Sequence, residues 1–140
     1  MARTILGILI GALAATLALV GAAYAFAEIH RWPGPAEWAE ADLLADFTHA
    51  MPLPALACLL GGLALAALVG GALAARIANP HRGGAALVIG ALLTSAVIFQ
   101  ATLFAQPEWL VVAGMLLPMP FATLAAWLAM PRAGFETRPA

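Results

Sequence analysis

The chain has 140 residues, 64% of them hydrophobic and 9% charged, with a formal net charge of −1 and no lysine. A soluble domain carries roughly a quarter charged residues, so this chain lacks the means to build an ordinary water-exposed surface. Its six arginines are spread thinly rather than clustered, which argues against nucleic acid as a partner.

Four segments carry almost no charged side chain and reach the roughly 20 residues needed to cross a bilayer, at about 4–28, 53–77, 84–106 and 109–131. Each is apolar all round, whereas the helices of a soluble bundle keep a polar face. The expected fold is all-α: a single integral membrane domain over 1–140, built as a four-transmembrane-helix antiparallel bundle. The first segment has a basic start at Arg3 and a small-x-small site at Ala23-Tyr24-Ala25, as a secretory signal would. Its apolar stretch is longer than a usual signal core, and it is read as a retained span. It carries Gly7-x-x-x-Gly11, then Ala14, Ala18 and Gly21. Such spacing lets helix backbones approach closely in lipid, either inside the monomer or between copies. A four-span chain has internal partners to satisfy first, so packing within the monomer is the preferred reading.

The connection over 28–52 holds five of the seven acidic residues, Glu28, Glu37, Glu40, Asp42 and Asp46, with His30, His49, Trp32 and Trp38. Trp32-Pro33-Gly34-Pro35 reads as a turn, and Pro35 suits a first helical position. A short amphipathic helix over about Ala36–Ala50 is expected, lying in the first, outer loop along the membrane face. At 100° per residue Leu43, Leu44 and Phe47 fall on one side, facing lipid. Asp42, Asp46, His49 and Trp38 fall on the other. Asp42, Asp46 and His49, with Glu28 and His30, are the candidate metal ligands. Carboxylates and imidazole suit a divalent ion such as Zn²⁺ or Mn²⁺. A solvated or partner-docking acidic face explains the same residues without metal, and no resident cofactor is required.

The second span repeats small residues at Gly62, Ala66, Gly70 and Ala74. Its lone cysteine, Cys58, reads as a small buried residue and excludes paired-cysteine redox chemistry. Asn79-Pro80-His81-Arg82-Gly83-Gly84 reads as a tight turn. In the third span Thr94 and Ser95 lie near the centre, level with Thr16 of the first span and with Pro118 and Pro120 of the fourth. Each proline frees a carbonyl one turn earlier, near Gly114 and Leu116. Together these form a candidate midplane polar layer, serving either as a path for a solute or ion or as repair of a kink. No ionisable residue falls in mid-span, unlike a proton-coupled transporter. Arg3, Arg76, Arg82, Arg132 and Arg138 share one side if the spans alternate. By the positive-inside tendency that side is cytoplasmic, and both termini with it.

Glu28 closing the first span with His30 after it, the Pro33-Gly34-Pro35 turn, Met51-Pro52, the Gly70-Gly71 run ending at Arg76-Ile77, and Pro107-x-Trp109 mark a pattern. It resembles a family of small four-span bacterial membrane proteins. That resemblance implies a fold and a compartment, the bacterial inner membrane, and no activity. The expected role is a non-enzymatic accessory or interaction subunit, partnered by the lipid bilayer and by self-association or a larger membrane complex. Two alternatives stand beside it: a small oligomeric transporter or channel using the midplane layer, and a metal-dependent membrane enzyme using the outer Asp/His/Glu set.

Overall fold

A computed structural model of the chain describes residues 2–103 and 106–129. Its helices, in chain order, are α1 (Ala2–Ile29), α2 (Pro35–Ala39), α3 (Ala41–His49), α4 (Leu53–Ile77), α5 (Arg82–Leu103), α6 (Glu108–Leu116) and α7 (Pro118–Ala129). No strand occurs among the described residues. Among the described residues four helices are long and apolar enough to cross a membrane: α1, α4, α5 and the Glu108–Ala129 run formed by α6 and α7. The 28 residues of α1 extend about 42 Å and the 22 of α5 about 33 Å, against a hydrocarbon thickness of roughly 30 Å. The expected third span ran to 106 and the fourth to 131. Their parts at 104–105 and 130–131, with Arg132 and Arg138, lie outside the described residues.

The helix starts differ in detail from the sequence reading. Arg82, Gly83 and Gly84 form the first turn of α5 rather than the end of a loop. The bend is carried by Asn79-Pro80-His81 alone, with a cis bond before Pro80. The single helix expected over Ala36–Ala50 is two pieces, because Glu40 is extended, with φ −124° and ψ 122°. A continuous helix would set Trp38 about 180° from Phe47 and about 120° from Leu44. The break lets Trp38 turn to the same cleft as Leu44 and Thr48.

The interior is built from small side chains. Ala66, Ala67, Ala74, Ala75, Ala78, Ala86 and Ala122 are fully buried, whereas the largest fully buried side chains are Phe26, Ile89 and Pro118. Helix α4 is the centre, packing against α1, α5 and α7, and its seam with α1 is the most extensive. Along that seam Gly7 faces Ala74 and Ala78, Gly11 faces Gly70 and Ala74, and Gly62 faces Ala22. A Cβ on Gly11 would stand 2.6 Å from the Gly70 carbonyl oxygen, so only hydrogen fits there. The spacing read from the sequence therefore serves contacts inside the chain. The seam of α1 continues through Ala15, while Gly21 has open space around it. Gly71 and Gly90 admit α7 in the same way, against Ala122. Outward, α1 presents Ile5, Leu9, Leu13 and Leu17, each more than half exposed.

Helices α6 and α7 meet at Leu117, just before Pro118. Pro118 and Pro120 bring no N–H to the carbonyls one turn earlier. Helical pairing persists around them through Leu117 N–H to the Ala113 oxygen at 3.0 Å and Phe121 N–H to the Leu117 oxygen at 3.3 Å.

Candidate functional site at one end of the helices

Polar and aromatic chemistry gathers where α1 ends. Beyond Ile29 the chain turns through Pro33-Gly34-Pro35, and Glu37 folds back on that turn. One carboxylate oxygen accepts the Gly34 N–H at 2.6 Å, and the other accepts the Arg31 guanidinium at 2.7 Å. Gly34 and Glu37 occupy the N-cap and N3 positions of α2, where a glutamate reaching back to the cap satisfies a donor the helix leaves free. The hydrogen bond from Arg31 holds the Glu37 carboxyl below its ordinary pKa, outweighing the opposing effect of desolvation, and the Gly34 N–H lowers it a little further.

The same arginine lies over an aromatic ring. Its guanidinium carbon is 4.8 Å from the centroid of Phe47 on α3. The Phe47 ring is 5.1 Å from His30, which meets Phe26 edge-on at 6.0 Å. Phe26 in turn contacts Trp32 at 5.1 Å. Such contacts contribute beyond area burial alone, on the order of 1 kcal/mol each. They clasp α3 onto the end of α1, burying Leu44, Phe47 and Thr48.

This arrangement redistributes the faces expected for the 36–50 segment. Leu44 and Phe47 do share a side, but that side packs onto the protein's own aromatic cluster, and Leu43 is exposed. Trp38 leaves the side of Asp42, Asp46 and His49. Thr48, which no sequence pattern singled out, is buried, with its hydroxyl donating to the Ala45 carbonyl at 2.8 Å.

The five candidate metal ligands are not gathered. Glu28, Asp42, Asp46 and His49 are exposed, and His30 is half-buried between Phe26 and Phe47. Among the described residues no three His, Cys, Asp or Glu side chains come together to hold a metal ion. The reason is rotational. Phe47 turns inward to meet His30, and on a helix Asp42, Asp46 and His49 lie about 100–160° away from it.

The candidate midplane layer is likewise dispersed. The Thr16 hydroxyl donates to its own helix at the Ala12 oxygen, 2.9 Å, and Ser95 to the Ala91 oxygen, 2.8 Å; both residues are exposed. Only Thr94 crosses between helices, reaching the Met115 carbonyl at 3.4 Å beside the Pro118 break. Pro118 is buried and Pro120 exposed. Cys58 is half-buried in the α1–α4 seam, with its sulfur 3.7 Å from the Ala22 oxygen.

Beneath the α2–α3 segment lies a cleft of about 80 Å³, open on one side. Trp32, Trp38, Leu44 and Thr48 roof it, Leu59 of α4 and Leu110 of α6 wall it, and Gln100 and Gln106 supply its amides. None of its lining residues is ionisable. No sequence spacing joins Gln100 to Gln106, which meet only through the fold.

Comparison with protein-family models, with curated proteins and with solved structures finds no match. What the fold defines is a class: an all-helical protein with four helices long and apolar enough to cross a membrane.

Proposed function

We infer that this chain is a non-enzymatic integral protein of the bacterial inner membrane, serving as an accessory or interaction subunit. The observation that carries the reading is the outward surface of the four long helices. It is apolar along their length, and charged side chains are confined to the helix ends, most densely where α1 ends. The span assignment belongs to the same reading: an antiparallel bundle with α2 and α3 as an amphipathic segment on the outer face. Support comes from the connections. Four residues separate α4 from α5, and an extended chain of that length reaches about 14 Å, far short of a helix length. Successive long helices therefore reverse direction. In the α1–α4 seam, Gly7 pairs with Ala74 and Gly62 with Ala22, again with opposed numbering.

Arg76 and Arg82 flank the α4–α5 turn, and Arg3 opens α1. With both termini on that side, the arginines favour the cytoplasm for it. Arg31 lies at the other end, paired with Glu37. A subunit that acts by association needs an unoccupied apolar flank. Helix α1 offers one, since it packs on α4 and α5 but not on α6 or α7. Transport through the midplane finds less support, because Thr16 and Ser95 bond to their own helices. Gentle solubilisation of native membranes, followed by affinity purification and native mass spectrometry, tests the role. The expected result is a stoichiometric partner or a defined oligomer. A strictly monomeric particle with no retained partner overturns it.

A further inference from the structure

We propose that the cleft under α2–α3 binds the neutral, hydroxyl-bearing end of a linear alkyl amphiphile. Three observations converge on that chemistry. The walls are hydrocarbon and aromatic, from Phe26, Leu44, Leu59 and Leu110, so an alkyl chain gains by leaving water. No ionisable side chain lines the cleft, and Arg31, next in sequence to its Trp32, is paired with Glu37. A charged head placed inside would be desolvated with no counter-ion, at a cost that excludes it. Gln100 and Gln106 bring two carboxamides, neither hydrogen-bonded within the described residues. A carboxamide both donates and accepts, which matches a hydroxyl in either role.

Size selects the shape of the ligand. A cavity of roughly 150 Å³ admits benzene; this one, at about 80 Å³, offers roughly half that space and suits a chain end whose remainder leaves through the open side. If the four helices span a bilayer as inferred above, neutral lipids reach the cleft from the membrane.

The full chain carrying Trp109→Phe and Trp127→Phe keeps only Trp32 and Trp38 as emitters, both in the cleft. In nanodiscs, 1-decanol should shift their emission saturably. Decanoate, decyltrimethylammonium and benzyl alcohol should require at least roughly tenfold higher concentration. Leu59→Phe, which fills the cleft, should weaken decanol binding about tenfold, and Gln106→Leu about fivefold. The Trp32→Phe/Trp38→Phe protein, emitting from Trp109 and Trp127, should show only a linear, non-saturating response to alcohol in the bilayer. Equal binding of decanoate or benzyl alcohol, a non-saturable decanol response, or indifference to both Leu59→Phe and Gln106→Leu would each overturn the assignment. Any of these leaves the subunit role untouched, because the measurement reads occupancy of the cleft alone.

Discussion

The α1–α4 seam and the aromatic clasp at the end of α1 hold the same helix by opposite means. The seam is built mainly of small residues. Gly7, Gly11, Gly62 and Gly70 bring backbone against backbone, and alanine fills what remains. The clasp is all side chain: Phe26, His30, Phe47, Arg31 and Glu37 bridge gaps of 5–6 Å with rings and an ion pair. The contrast follows from the surroundings each would have. Among hydrocarbon neighbours, burying more hydrocarbon gains nothing, so close van der Waals contact between backbones decides association. At the end of the helices, where water competes, burial of rings and charge-assisted hydrogen bonds become worthwhile.

The largest expected effect breaks the seam. A Cβ at Gly11 meets the Gly70 oxygen at 2.6 Å and Ala74 Cβ at 2.8 Å, so Gly11→Ala should destabilise by about 2 kcal/mol and Gly11→Leu by more. Gly61 has nothing within 4 Å, and there Gly61→Ala should be neutral or stabilise by about 0.5 kcal/mol through helix propensity. Thermal unfolding in detergent, run on both variants, checks the pair. Equal losses at the two positions would show that the seam is not the determinant.

Next in size is the clasp. Phe47→Ala removes a buried ring touched by His30 and Arg31, and should weaken docking of α3 by about 3 kcal/mol while leaving α4–α7 intact. Hydrogen exchange should rise over residues 30–50 and stay unchanged in α4. A global rise would mean that the two regions fold as one unit.

Acidification gives a gentler version of the same change. The Glu37 carboxyl has its folded pKa depressed below the ordinary 4.5 by the Arg31 hydrogen bond. A depressed carboxyl contributes stability above its unfolded pKa and loses it as pH falls through the folded value. Protection over 30–50, corrected for the intrinsic pH dependence of amide exchange, should therefore be constant from neutral pH to about 5 and fall below that, a fall absent in Glu37→Gln. A fall that persists in Glu37→Gln would show that the Arg31–Glu37 pair is not its cause.

The smallest effect tests the Pro118 break. Thr94→Val removes the one interhelical hydroxyl contact there, a long 3.4 Å bond, and should cost about 0.6 kcal/mol in thermal stability.

How much of this was legible beforehand depended on the range of the signal. The four long apolar helices follow from run length and the absence of charge, which are properties of the chain itself. The small-residue spacing announced close packing, whereas Glu37 reaching back to the Gly34 N–H was not legible, because glycine carries no side chain to mark a capping box. Glu40 carries no such mark. Its extended backbone accompanies Trp38 and Leu44 lining one cleft with residues of α4, α5 and α6, a grouping visible only in the fold. The candidate metal ligands are not gathered among the described residues for a related reason. Helical spacing says which residues of α3 neighbour one another, whereas the face that turns inward carries Phe47 to His30.

Sequence alone determined that this chain is helical, apolar on all sides over four long segments, and chemically concentrated near residues 28–52. Periodicity and composition act locally, and each helix reports its own character. Tertiary structure decided that the glycines of α1 seat against α4, that Arg31 and Glu37 close a turn against Phe47, and that Gln100 and Gln106 share one cleft. Those outcomes depend on which surfaces meet, and a helix does not encode its neighbour's rotation.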